Sequence, residues 1–139
     1  MGTVNYLAIG VCAILSMVLG AIWYGPLFGK KWMAIAGVKP EDIEARKKMQ
    51  KSAMPLYVVQ FLLTLFQAWV LAYYIAGWKG ASGIGNALWI WAAFIIPTVA
   101  GSAMWNNDKG KVKWAKFLIQ GGYQLVLFVM FGLILSAWK

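Results

Sequence analysis

From Val4 to Tyr24 the chain runs for twenty-one residues without a charged side chain. At 1.5 Å rise per residue, a helix of that length reaches about 31 Å, enough to cross a hydrocarbon core of about 30 Å. Lipid offers no partner for backbone N–H and C=O groups, so a segment spanning it must satisfy them internally, as an α-helix does. Three further apolar stretches, about 54–78, 84–105 and 114–138, are long enough to do the same. The expectation is an all-α, polytopic membrane protein. Residues 1–139 form a single domain of four transmembrane helices in two hairpins, with spans about 4–24, 54–78, 84–105 and 114–138 and a basic connection at 25–53.

Composition agrees with a lipid solvent. Hydrophobic residues make up 62% of the chain and charged residues 12%, whereas soluble domains carry about 25% charge. The net charge of +9 would point to nucleic acid in a soluble protein, but these bases lie between apolar blocks, so no nucleic-acid partner is expected. Eleven of them, Lys30, Lys31, Lys39, Arg46, Lys47, Lys48, Lys51, Lys109, Lys111, Lys113 and Lys116, fall in the first and third connections; Lys79 and Lys139 are the two on the other side. The positive-inside rule then makes both termini non-cytoplasmic. Trp23, Tyr24, Trp32, Trp78, Trp89, Trp105, Trp114 and Trp138 mark the span ends, as amphipathic rings at headgroup level do. Trp69 falls mid-span, where packing on lipid or a neighbouring helix is expected.

No basic region precedes the first apolar run, and Tyr6 stands where myristoylation needs Ser or Thr, so the first run is expected to stay as a helix. Gly25-Pro26 should end it, since Gly permits unusual dihedrals and Pro lacks a donor. Between Lys30 and Lys51, Pro40-Glu41-Asp42 followed by Arg46-Lys47-Lys48 reads as a short helix at the membrane surface, with acids at its positive end and bases at its negative end; a solvated loop fits the same residues. Pro97 should kink the third helix. The first and third connections share a text: Gly20, Trp23-Tyr24, Gly29-Lys30 and Trp32 in one, Gly101, Trp105, Gly110-Lys111 and Trp114 in the other. That match, after a one-residue shift, fits either a parallel repeat or topology alone.

Small residues recur every fourth position on helix one: Ala8, Cys12, Ser16 and Gly20. Such a strip lets two backbones approach closely, within one bundle or between copies. Shorter strips occur at Ala93 and Gly101 in helix three and at Gly121, Gly122 and Gly132 in helix four. Because four short helices enclose little interior, a homo-oligomer is expected.

No Asp, Glu, Lys, Arg or His occupies the centre of any span, which disfavours proton coupling through an embedded carboxylate and voltage sensing. With no His and a single Cys, Cys12, neither a metal site nor an intramolecular disulfide is expected. No nucleophile with a neighbouring base and no phosphate loop can be assembled, so neither catalytic residues nor a cofactor are expected. The remaining polarity is amide and hydroxyl. Gln60, Thr64 and Gln67 share one face of helix two, while Gln120, Tyr123 and Gln124 cluster on helix four. An amide in hydrocarbon is costly unless bonded. These faces should therefore meet as interhelical glue or line a pocket or pore.

The functional reading is a transport or channel protein for a neutral or weakly polar solute, lined by Gln60, Thr64, Gln67, Gln120, Tyr123 and Gln124, with Trp23, Tyr24, Gly25, Pro26 and Gly29 at its cytoplasmic mouth. Two alternatives stand beside it. One is a membrane enzyme acting on lipophilic molecules, with a cofactor or conjugating thiol held by Lys30, Lys31, Lys111, Lys113 and Lys116. The other is an assembly or lipid-binding protein whose basic face meets anionic lipids of the bilayer.

Asn5-Tyr6-Leu7-Ala8-Ile9, then Leu19-Gly20-Ala21-Ile22-Trp23-Tyr24-Gly25-Pro26-Leu27-Phe28-Gly29-Lys30 and Trp32-Met33, resemble the opening of a family of small bacterial membrane proteins known as domain of unknown function 1761. Trp114, Phe117-Leu118-Ile119 and Gly122-Tyr123 resemble its last helix, so the likeness covers nearly the whole chain. The resemblance implies a four-helix integral membrane protein, multi-pass in the bacterial inner membrane, and brings no catalytic residues with it. One departure lies in the third connection. It reads Asn106-Asn107-Asp108-Lys109-Gly110-Lys111-Val112-Lys113 where Arg and Pro would be expected, which weakens any role needing a bidentate Arg.

Overall fold

The computed structural model describes residues 4–39, 41–78, 80, 82–105 and 108–138. Pro40, assigned above to a helix start, and Lys79 and Lys139, the two bases counted on the opposite side, lie outside the described residues, as do Asn106 and Asn107. Every regular element among the described residues is helical. In order they are α1 (Tyr6–Ile22), a π-helical turn (Trp23–Leu27), α2 (Gly29–Ile35), α3 (Ile43–Gly77), α4 (Gly83–Ile90), a second π-helical turn (Trp91–Ile95), α5 (Ile96–Met104) and α6 (Gly110–Ala137). Four continuous helical runs, Tyr6–Leu27, Ile43–Gly77, Gly83–Met104 and Gly110–Ala137, are long and apolar enough to cross a membrane.

Caps explain several starts. Asn5 Oδ1 accepts from the N–H groups of Leu7 and Ala8 at 3.0 and 3.2 Å, Asp42 Oδ1 from Ala45 at 3.1 Å, and Ser82 Oγ from Gly85 at 3.0 Å. Each satisfies a donor that the first helical turn leaves without an intrahelical partner. Asn5 Nδ2 also donates to the Trp138 carbonyl, so the start of α1 meets the end of α6.

Two boundaries differ from the sequence reading. Helix two begins at Ile43 rather than near Met54, because the basic segment expected as a separate surface helix continues into the span as one 35-residue helix, about 52 Å long. Nothing between Asp42 and Met54 breaks it, and the carbonyl freed by Pro55 belongs to exposed Lys51, where water can bond it. Nor does Gly25-Pro26 end the first helical run. The chain widens there into a π-turn, in which Phe28 N–H donates to the Trp23 carbonyl five residues back at 2.9 Å, and the path continues to Leu27.

The kink expected at Pro97 takes the same form. Ile96 N–H reaches back five residues to the Trp91 carbonyl, closing a π-turn just before the proline. The wider turn makes room for a ring that cannot donate and would collide with the carbonyl four residues earlier. A Trp thus opens a π-turn in both the first and third spans. The local geometry recurs at Trp23 and Trp91, whereas the textual match had paired Trp23 with Trp105.

Helix α6 is central and packs against α1, α3, α4 and α5, while α1 also packs on α3. The core gathers at one end of the bundle: Ala8, Ile9 and Cys12 of α1, Ala68, Leu71, Ala72 and Ile75 of α3, Ala87 of α4, and Leu127, Phe128, Phe131 and Leu135 of α6. Two glycines decide how closely α4 meets α6. A Cβ on Gly83 would collide with the Ser136 side chain, and one on Gly132 would fall 2.9 Å from the Gly83 carbonyl oxygen. Toward the other, basic end α3 parts from the rest. Residues Met54 to Gln60 of α3 are exposed through almost two full turns.

The small strip on α1 faces inward. Ala8, Cys12 and Ser16 are buried, and Gly20 lies against the Tyr123 hydroxyl, 3.4 Å from where its Cβ would stand. The strip is therefore consumed within one chain and leaves no free face for a second copy. Trp69 packs against rings of its own helix, Phe66 and Tyr73, at centroid distances of 5.9 and 5.2 Å, and stays partly exposed.

Candidate functional site

Gln60, Gln67 and Gln124 meet at a cavity of about 370 Å³ where α3 parts from α6 and the second π-turn. The two α3 amides stand seven residues apart, two turns on one face. Leu63, Phe66 and Val70 form the α3 wall, Ile90 and Ile95 the opposite wall, and Phe128 lies one turn beyond Gln124 on α6. No side chain lining this cavity is ionisable. It can hold and orient a solute by amide hydrogen bonds and apolar contact, and it offers no group for proton transfer.

The three amides do not bond to one another. Gln60 Nε2 donates to Thr64 Oγ1 at 3.2 Å, and that hydroxyl donates to the Gln60 carbonyl at 2.8 Å, so this pair is satisfied within α3. Gln124 Oε1 is buried and has no hydrogen-bond partner. An orphaned amide oxygen in a low-dielectric interior costs about 1–3 kcal/mol, which makes it a strong acceptor for any donor that enters.

The other residues assigned from sequence lie elsewhere. Thr64 is buried beside Gln60 and does not line the cavity. Gln120 lines a second cavity of about 320 Å³ with Trp32, Ile35 and Lys116, near the basic end. Tyr123 turns to α1, where its hydroxyl donates to the Ser16 carbonyl at 3.0 Å and its ring packs against Tyr24 and Trp23. Gln120 and Gln124, four residues apart, share a face of α6 and are separated by level, one meeting α2 and α5 and the other α3 and the second π-turn, while Tyr123 points to a different side.

Trp23, Tyr24, Gly25, Pro26 and Gly29, assigned to a mouth, line neither cavity. Trp23 and Tyr24 close the α1–α6 seam, and Gly25 and Pro26 are exposed. Trp23 Nε1 donates to the Ile119 carbonyl at 2.9 Å, and Gly29 is buried where a Cβ would sit 3.0 Å from the Tyr24 carbonyl oxygen. Trp91 makes the matching bond from the second π-turn, its Nε1 donating to the Gly121 carbonyl at 3.2 Å.

Sequence reasoning missed Trp91 and Asn86. Asn86 is buried near the start of α4, and its Nδ2 donates to the Trp78 carbonyl, tying α3 to α4. A lone amide in an apolar run was the available signal. For Trp91 there was none, since it sits among apolar residues in mid-span.

The profile of a family described as a protein of unknown function (DUF1761) matches residues 7–136, nearly the whole chain. The chain belongs to the DUF1761 family. No curated protein and no solved structure matches it. For DUF1761 the matched region takes in all four spans but for Tyr6 and Ala137 at their outer ends, both π-turns and the residues around both cavities. The family description carries no activity, so the reading of this DUF1761 chain rests on its own geometry.

Proposed function

We propose that the protein is a transport-type membrane protein that takes a neutral, largely apolar solute bearing a hydrogen-bond donor from the bilayer into the Gln60–Gln67–Gln124 cavity. The observation that carries this reading is the buried, unpartnered Gln124 Oε1 beside two further amides in an otherwise apolar groove open to the bilayer. A hydroxyl or amide N–H of the solute satisfies that oxygen, while Leu63, Phe66 and Phe128 hold its apolar body. The lack of an ionisable group in the cavity wall favours carriage over conversion, and uncoupled over proton-coupled movement.

The orientation belongs to the same reading. With eleven bases on two connections against two elsewhere, the basic end faces the cytoplasm of a bacterial inner membrane and both termini lie outside it. Self-association falls to α3, because the strip on α1 is taken up within the chain. Its Met54–Val59 stretch is exposed all round and gives a second copy an apolar helix face to pack on.

A long-chain alcohol carrying a diazirine tests the site. Irradiated in vesicles with the purified protein, it should label Leu63–Leu71 and Gln124–Phe128. Gln124→Leu should lower that labelling about fivefold, the worth of one hydrogen bond of about 1 kcal/mol. Labelling spread evenly over lipid-facing residues such as Leu56 and Phe94, or unchanged in the variant, would sink the assignment.

A further inference from the structure

The second cavity, between α2, α5 and α6, has a different chemistry. Trp32, Ile35 and Ala36 of α2 form one wall, and Lys116 and Gln120 of α6 form another. Lys116 and Gln120 are four residues apart, so they share a face of α6, with the amide about 6 Å further into the span than the ammonium. Lys116 Nζ bonds Asp108 Oδ2 at 2.6 Å, which uses one of its three donors and fixes its position. Lys113 Nζ, one turn earlier, donates to the Met104 carbonyl at 2.9 Å and ties the end of α5 to α6. Lys30 and Lys31 lie exposed on α2 beside Trp32, and the Trp32 ring is held edge-on against Tyr24 at 4.9 Å.

Depth identifies the ligand. Trp105 and Trp114 stand at this same end and are 87% and 66% exposed, which sets it at the level of the lipid headgroups. Further along α5 toward the middle of the bilayer Val99 is half-buried, and Ile96 lies 3.4 Å from where a Gly121 Cβ would stand, so the surface beyond the cleft is apolar. A cleft between spans with a fixed ammonium at headgroup level, an amide about 6 Å below it and apolar flanks beneath is graded in the order of a phospholipid: phosphate, glycerol ester, acyl chain.

We propose that this cleft is a binding site for one anionic phospholipid, with Lys116 donating to its phosphate and Gln120 to the ester oxygens below. The shared chemistry is a phosphate oxyanion, which a free anion also offers. The apolar walls of Ile35, Ala36 and Ala103 favour the lipid. Lys30 and Lys31 make the local field positive and select an anionic headgroup over a zwitterionic one. The site is separate from the Gln124 cavity and stands whether or not that cavity carries a solute.

Native mass spectrometry of the full chain, released from vesicles of equal phosphatidylglycerol and phosphatidylcholine, tests the proposal. One phosphatidylglycerol should be retained in preference to phosphatidylcholine. Lys116→Gln should lower that retention about fivefold, the effect of one lysine at a charged membrane surface, and Lys116→Arg should keep it. Lys47→Gln with Lys48→Gln, on the exposed start of α3, should leave it unchanged. Equal retention of the two lipids, or an equal loss from the Lys47/Lys48 variant, would overturn the proposal. So would thermal stabilisation of the detergent-purified protein by millimolar inorganic phosphate that Lys116→Gln abolishes, since that assigns the site to a soluble anion. Should Lys116→Gln fail to fold, a phosphatidylglycerol carrying a diazirine near its headgroup decides the matter on the unaltered chain. Adducts at Trp32–Ala36 and Ser102–Ala103 support the site, and adducts confined to α3 refute it.

Discussion

The indole nitrogen of Trp23 lies 2.9 Å from the carbonyl oxygen of Ile119. That bond joins the π-turn at the end of the first run to the central helix at a point where neighbouring Gly122 leaves room for the indole: a Cβ there would fall 3.1 Å from the Trp23 ring. Two residues from Ile119, the Gly121 carbonyl accepts from Trp91 of the second π-turn. Both prolines that interrupt these spans therefore sit beside a Trp that pins its loosened turn to α6.

Trp23→Phe keeps the ring contacts with Phe28 and Tyr123 and removes the N–H donor. The expected loss is about 1 kcal/mol of stability, the usual net worth of one hydrogen bond. Trp89→Phe, on a lipid-facing ring 71% exposed, should cost almost nothing. Thermal unfolding in detergent compares the two, and equal losses would mean that the indole bond contributes nothing specific.

Gly132→Ala should destabilise by about 1–3 kcal/mol, because the added methyl meets backbone of α4 that cannot move aside as a flexible side chain can. Gly10, also helical, has nothing within 4 Å of its would-be Cβ. Gly10→Ala should be neutral or gain about 0.5–1 kcal/mol from lower chain entropy. The same melting experiment checks both, and the opposite order would contradict the close α4–α6 approach.

Gln124→Leu should unfold at the same or a higher temperature than the natural chain while losing the photolabel, since it removes an acceptor that nothing satisfies when the cavity is empty. A marked loss of stability would show that Gln124 is structural glue.

Cys12 is fully buried in the core that α1 shares with α3, α4 and α6. N-ethylmaleimide should leave the protein unmodified in membranes and add once after unfolding in hot SDS, read by intact mass. Ready labelling in membranes would place the α1 strip on an open surface and return it to the interface between copies.

The charge-free stretches, by their length, determined the four spans, because lipid forces the backbone to bond within each helix and permits little else. Family membership was also legible, in the Trp23–Lys30 string above all. The amide face of α3 could be read from period alone, which is why Gln60 and Gln67 were assigned together and do share a cavity. Period cannot say what stands opposite a face. Only the tertiary structure separated Gln124, turned into that cavity, from Gln120 in the lipid-level cleft and Tyr123 on the α1 seam, since each residue's neighbour depends on which helix packs against α6 on that side and at that level. It also placed the strip from Ala8 to Gly20 inside the bundle. Small residues permit close approach equally well within a chain and between chains, and the choice rests on the packing of α3 and α6, which no single segment encodes.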